Sequence, residues 1–370
     1  MVVLGGVTRL TKSGLSMTDW KFTGEKPPAS PEEWAAEFER YQQSPEYKRV
    51  NRGMELDEFK FIYWMEWGHR MWGRVLGLAF AGPFAYFCVK GAMTGPLARR
   101  LLAIFAAGGA QGLVGWWMVK SGLEEPPEEW DCPRVSPYRL AFHLTSAFAI
   151  YSALVWTALS VRSPEPLRST VSDLACKGMT VLRGRVIPLA GLIATTAVSG
   201  AFVAGMDAGR AYNTFPLMNG HIFPAQDYFL SKMDPKWRNF FESTAAVQFN
   251  HRLLAMTTLT AVAALWATAR NLVLPRKARV LVHALAGVTA IQVGLGITAL
   301  LTYVPVALGS AHQATALLLF TKVLALLHTV RKGPSGAGVL AMVPGIGMAL
   351  MPAAVVGSTG GLLLSGTPRV

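Results

Sequence analysis

The chain has 370 residues, of which 52% are apolar and only 15% charged, and it carries a net charge of +13. A soluble chain carries about 25% charged residues and a disordered one is more polar still, so a polytopic helical membrane protein is what remains. So basic a chain would suit nucleic acid unless its positive residues mark membrane topology, and their positions decide this against nucleic acid.

Met1-Val2-Val3-Leu4-Gly5-Gly6-Val7 is an apolar run too short to span, and it reads as the end of a truncated first helix. No signal or transit peptide is readable, which fits that expectation. A long polar loop, 11–60, follows. Seven apolar segments then read as spans, at about 71–89, 101–119, 139–160, 186–206, 253–269, 280–301 and 308–330. Each approaches or exceeds the roughly 17–25 residues that cross hydrocarbon as a helix, the open-chain form that satisfies its own backbone in lipid. After Arg331-Lys332 comes a Gly/Pro-interrupted apolar tail, and its stretch 338–364 reads as an appendage rather than a further span.

The short loops 90–100, 162–185, 270–279 and 331–332 are rich in Lys and Arg. Loop 121–137 instead holds Glu124, Glu125, Glu128, Glu129 and Asp131 against Arg134. The basic loops therefore face the matrix or cytosol, and the long loops 11–60 and 207–242 lie on the outer face. Cys88, Cys132 and Cys176 form no CxxC or CxxCH, so a zinc ribbon and covalent c-type haem are unsupported.

The chain repeats itself. Glu66-Trp67-Gly68-His69-Arg70 is echoed by Gln248-Phe249-Asn250-His251-Arg252, Gln111-Gly112-Leu113-Val114-Gly115 by Gln292-Val293-Gly294-Leu295-Gly296, and His143 by His312. Even numbers of spans separate the copies, so the repeat is parallel, with a pseudo-twofold axis along the membrane normal. The expected architecture is all-α: an N-terminal four-helix bundle over 1–161 with an incomplete first helix, a C-terminal one over 186–330, and the tail 331–370.

His69, His143, His251 and His312 fall at matching ends of the second and fourth helix of each bundle, near the outer interface. One such histidine is more often a satisfied interfacial side chain than a ligand, whereas two matched pairs on facing helices point to a cofactor. Two imidazoles on facing helices can clamp one porphyrin iron. Di-iron would need carboxylates on the other helices, and these are absent. Arg70, Arg74 and Arg252 stand where haem propionates would emerge. Glycines 108, 109, 112, 115, 287, 294 and 296 let helices approach closely or leave room for a flat macrocycle. Glu66 breaks the symmetry, since Gln248 stands opposite it; a lone carboxylate at that depth holds or relays a proton, or pairs with a nearby Arg. A b-type cytochrome that only transfers electrons would have no need of it. A transporter would need broken helices, and Gly82-Pro83 is the mid-span interruption in view. His221 reads as part of a surface turn.

At these residues the chain resembles the haem A synthase family, in its mitochondrial and alphaproteobacterial type. The resemblance lies in Gly5 to Met17, Pro31-Glu32-Glu33-Trp34, Phe38 to Gln43, Phe59 to Ile62, Glu66 to Arg74, Pro133 to Ser136 with Tyr138-Arg139-Leu140, Tyr212 to Met218, Phe249 to Arg252 and Ala311-His312-Gln313. It covers residues 2 to about 330. It implies an oxidoreductase of the mitochondrial inner membrane that converts the C8 methyl of haem O to the formyl group of haem A for cytochrome c oxidase, by successive hydroxylations and loss of water from a geminal diol. It further implies haem b between His251 and His312, the substrate haem between His69 and His143 near the intermembrane-space side, and proton handling by Glu66. The expected partners are a ferredoxin-type electron donor, haem O synthase, membrane lipids and a second copy of the chain. Some bacterial relatives carry a cysteine pair in an outer loop; here Cys132 stands alone outside.

Overall fold

The structure is a computed structural model that describes residues 1–126, 132–231 and 233–332. The tail expected at 331–370 lies outside the described residues beyond 332, as do Glu128, Glu129 and Asp131 of the acidic loop. Among the described residues the regular elements are helices, with one isolated bridge between Met218 and His221.

Helix α1 (Val2–Leu10) is nine residues long, about 14 Å, and lines the histidine end of the first half. The polar loop behind it is not open. It folds into α2 (Pro31–Gln42) and α3 (Pro45–Arg49), each started by a serine followed by proline. Ser30 Oγ accepts from the Glu33 N–H at 3.2 Å and Ser44 Oγ from the Tyr47 N–H at 3.2 Å, caps that satisfy otherwise orphaned donors. Trp34, Phe38 and Tyr41 then pack on Phe59 and Tyr63 of the following helix. The loop is therefore a folded cap over the end of the bundle.

Helices α4 (Leu56–Val89), α5 (Gly95–Leu123) and α6 (Pro137–Arg162) complete the first half. The second half comprises α7 (Asp173–Gly205), the short α8 (Ala225–Tyr228) and α9 (Asn239–Glu242) of the second long loop, and α10 (Thr244–Ala269), α11 (Arg276–Leu301) and α12 (Val306–Thr329). Seven of the described helices, α4 to α7 and α10 to α12, are long and apolar enough to cross a membrane, and they contain the seven predicted spans. Two extend well beyond prediction. α4 starts at Leu56 because Phe59, Ile62, Tyr63 and Glu66 are buried under the cap rather than in lipid. α7 starts at Asp173 because Met179 and Leu182 pack into the core of the second half. Pro83 lies inside α4 and the helix runs through it, so the interruption expected at Gly82-Pro83 is not a break.

The halves meet through α1 on α12, α6 on α7, and α6 on α12. A twofold that exchanges α1 with α7 and α6 with α12 turns the first contact into the second and maps the third onto itself. Across the α6–α12 seam the Phe148 ring meets the Phe320 ring edge-on at 5.0 Å, and the Tyr151 and Thr321 hydroxyls lie 2.7 Å apart. Packing is uneven. Val186, Val262, Val282, Leu285, Val323 and Leu326 form a closed core in the second half, whereas the buried cluster of Met17, Tyr41, Phe59, Ile62 and Tyr63 in the first half lies under the cap.

Candidate functional site

Each of the four histidines stands against a glycine of a neighbouring helix. A Cβ at Gly5 would lie 3.1 Å from Nε2 of His69, at Gly115 3.1 Å from Cε1 of His143, at Gly200 3.3 Å from Cε1 of His251, and at Gly296 2.8 Å from Cε1 of His312. The histidines lie in the first halves of α4, α6, α10 and α12, and Gly115, Gly200 and Gly296 in the last halves of antiparallel neighbours. All four imidazoles thus sit at one end of the molecule. Among the described residues no three His, Cys, Asp or Glu side chains converge as a bare ion would need. Two imidazoles backed by glycines fit an iron that brings four equatorial nitrogens of its own, and the residues present therefore suit haem.

Hydrogen bonds set which ring nitrogen is free. The Ser199 hydroxyl donates to the Thr196 carbonyl at 2.7 Å, so at 2.7 Å from Nδ1 of His251 its oxygen accepts that N–H. His312 Nδ1–H donates to the Gln292 carbonyl at 3.2 Å. Both second-half imidazoles therefore carry their proton on Nδ1; Nε2 of His312 accepts from the Gln292 amide at 3.2 Å, so that amide must turn aside before the lone pair can meet an iron. The first half differs. Gln111 Nε2 donates to the His143 carbonyl at 2.8 Å and faces its Nδ1 at 3.1 Å, while Oε1 of Gln111 accepts from Ser146 at 2.7 Å. With its amide so oriented, Gln111 donates to Nδ1 of His143, and the proton of that ring sits on Nε2. Buried oxygens without a partner, Oε1 of Gln292 and Oγ of Ser310, flank His312 in sequence or in contact.

Glu66 and Gln248 occupy equivalent places, 2% and 3% exposed. Oε2 of Glu66 accepts from the Ser16 hydroxyl at 2.7 Å and the Met17 N–H at 2.9 Å, and Oε1 pairs with Arg70 at 2.6 Å. Gln248 Nε2 donates to the carbonyls of Ala208, at 2.6 Å, and Ala211, and its Oε1 accepts from Arg252 at 2.8 Å. In each half this residue fastens the loop that follows the first helix, with opposite hydrogen-bond polarity. The ion pair weighed from the sequence as the alternative for Glu66 is formed.

The arginines expected to meet propionates are held by the same loops. Arg70 donates to the carbonyls of Asp19, at 2.6 Å, and Met17, at 3.0 Å. Arg74 donates to those of Phe22, at 3.1 Å, Lys21 and Arg70. Arg252 donates to Tyr212 at 2.7 Å and Leu217 at 3.4 Å, but its buried Nε–H has no partner. Arg139, one turn before His143, donates to the Trp117 carbonyl at 2.8 Å and stacks over that indole. His221 is exposed in a turn, as expected, and the three cysteines are free, Cys132 exposed.

Outside the spans, the cap buries a second carboxylate. Glu46 accepts from the Tyr41 hydroxyl at 3.0 Å, and burial pushes its pKa up to about 7 against that bond, with the charge of Glu66 adding to the rise. Burial also raises Tyr41 and Glu25. In the second loop the bond from Arg238 holds Glu242 below the usual carboxylate range.

Sequence reasoning missed Gly5 and Gly200 as the counterparts of Gly115 and Gly296, together with Ser199 and Arg9. Aligning the two halves helix by helix would have paired Gly5 with Gly200; nothing local marks either.

Seven helices long and apolar enough to span, with four glycine-backed histidines at one end, define a multi-pass helical membrane protein. The family described as cytochrome oxidase assembly protein (COX15-CtaA) matches residues 1–324, and the chain belongs to it. It is 59% identical to a heme A synthase COX15 of Arabidopsis thaliana over 90% of this chain and 72% of that one. Its identity is 49% to a heme A synthase COX15 of Bos taurus (90% and 79% covered) and 47% to a heme A synthase of Nitrosospira multiformis (90% and 90%). No solved structure matches.

Proposed function

We propose that this chain is a haem A synthase, an oxidoreductase that converts the C8 methyl of haem O to the formyl of haem A for cytochrome oxidase assembly. Supporting this are relatives of that name along 90% of the chain. The observation that carries it is the pairing of four imidazoles, each against a glycine, in two halves that differ at Glu66 and at the protonation of His143.

His251 and His312, both protonated on Nδ1, would be the ligands of a resident haem b, the Gln292 amide giving up Nε2 of His312 to the iron. That group supplies one-electron transfer, because ligation by two histidines leaves its iron no open position. Arg252 directs its spare Nε–H to a propionate. His69 and His143 take haem O and release haem A, His143 offering a lone pair to the iron only when its ring or the Gln111 amide turns over. Glu66 is the base beside the substrate, accepting protons at Oε1 as the methyl is oxidised. Arg70 and Arg74 hold the loop 17–22 over the site and reach a propionate only by sharing donors now given to carbonyls. A ferredoxin-type donor supplies electrons, and the histidine end faces the intermembrane space of the mitochondrial inner membrane.

The test is to incubate the purified protein with haem O and a reducing system and then extract its pigments. Haem A should form while haem b remains, and Glu66→Ala should stop conversion with haem b content intact. Absence of both conversion and retained haem contradicts the proposal.

A further inference from the structure

Helix α1 belongs to the first half, where Gly5 forms the wall behind His69. Contacts with α12 and α4 place it. Its polar fastenings run to the second half. Gln313 of α12 donates through Nε2 to the Val2 carbonyl at 3.1 Å. Arg9 donates to the Ala204 carbonyl at the end of α7 at 2.7 Å and pairs with Asp207 at 3.2 Å. The packing agrees: a Cβ at Gly6 would fall on the Gln313 amide, and one at Gly309 would lie 2.9 Å from Leu10.

Two pairs of adjacent residues thus join the two sites. Gly5 touches His69 and Gly6 takes the Gln313 amide, while His312 and Gln313 are consecutive on α12. One residue of each pair serves an imidazole, and the other bonds the two helices together.

We propose that Gln313 and Arg9 are positioning residues for the substrate haem. By fastening α1 to the second half they set Gly5 against His69, so ligation in the first half depends on side chains bonded across the pseudo-twofold. This rests on the assignment of His69 and His143 as the substrate site. Removing either fastening frees α1 at one end, and His69 then loses the wall that limits its imidazole. The hydrogen bonds and glycine walls of His251 and His312 come from α7 and α11 rather than α1, and their haem should be indifferent.

The experiment uses the full chain in detergent, titrated with hemin, with Gln313→Met and Arg9→Met removing the donors from either side. Gly6→Ala is the third variant, since its methyl displaces the Gln313 amide without altering α12. The equivalent of hemin lost in His69→Ala reports the first site. In all three variants that equivalent should bind about tenfold more weakly, and its ferric electron paramagnetic resonance signal should move from low spin towards high spin. The equivalent lost in His251→Ala should keep its affinity and spectrum. Equal weakening of both equivalents, or of neither, overturns the proposal. A second measurement needs no haem: spin labels on α1 and α12 should report a longer, broader distance distribution in Gln313→Met than in the parent chain, and an unchanged distribution overturns the proposal as well. Should His69→Ala leave hemin uptake unchanged, the substrate-site assignment fails, and the label distances still decide whether Gln313 fastens α1.

Discussion

Glu66 in α4 and Gln248 in α10 sit at the same point of two copies of one bundle, each one helical turn before an arginine that shares its load, yet their surroundings are opposite in polarity. The loop beneath Glu66 presents donors, the Ser16 hydroxyl and the Met17 N–H. The loop beneath Gln248 presents the Ala208 and Ala211 carbonyls. An arginine at this place does not by itself demand a carboxylate, because Arg252 donates to an amide oxygen there. The charge is specific to the first half, and the backbone there is shaped to receive it. The histidines diverge in parallel: Nδ1 donates in the second half and accepts in the first, at His143.

The largest effect should come from forcing one half into the other's polarity. Glu66→Gln turns an amide N–H towards existing donors and leaves buried Arg70 without its counter-ion, a loss of about 3–5 kcal/mol. Thermal unfolding should show a drop of that order together with loss of turnover, and Gln248→Glu, which aims a carboxylate at two carbonyls, should be comparably damaging. If Glu66→Gln left stability untouched, the loop clamp would not be what the charge serves. Next come the glycine walls. Gly296→Leu should expel the haem of the second half and Gly115→Leu that of the first, each at an overpacking cost of about 1–3 kcal/mol, read as selective loss of one haem by pigment extraction. Smaller again, Gln111→Glu gives His143 a carboxylate to receive an Nδ1–H, so hemin should bind the first site about 10-fold tighter and product should leave more slowly.

The smallest effect is confined to the cap. Burial raises the Glu46 pKa from 4.5 to about 7, so the folded cap binds the proton more tightly than the unfolded chain does. Its contribution is full below about pH 4.5 and is lost as pH rises through 7. Protection of the amides in 41–51, measured against their intrinsic base-catalysed exchange, should therefore fall between pH 5 and 8, and Glu46→Gln should flatten that fall.

The spans, the duplication and the four histidines were legible because hydropathy and motif order are carried by side chains alone. The true start of α4 was not, since Phe59 to Glu66 are covered by the cap and not by lipid, a tertiary choice that hydropathy does not record. The cap helices had local signals in Ser30-Pro31 and Ser44-Pro45, but a polar stretch of that length reads as loop. The opposed polarity under Glu66 and Gln248 is a backbone property. Asp207 and Tyr212, at φ 50° each, bracket the segment whose carbonyls face Gln248, and no side-chain pattern states which way a carbonyl points. The arginines were read by their charge, whereas Arg70 and Arg74 are used as multiple donors to the loop 17–22.

The central claim is that each histidine pair grips its own iron porphyrin. Haem stoichiometry of the purified chain, measured by pyridine haemochrome after saturation with hemin, tests it most directly. Two equivalents are predicted in the parent chain, one in His69→Ala and one in His251→Ala, with different residual spectra. A parent chain that binds a single equivalent, or single variants that lose both together, would contradict the account.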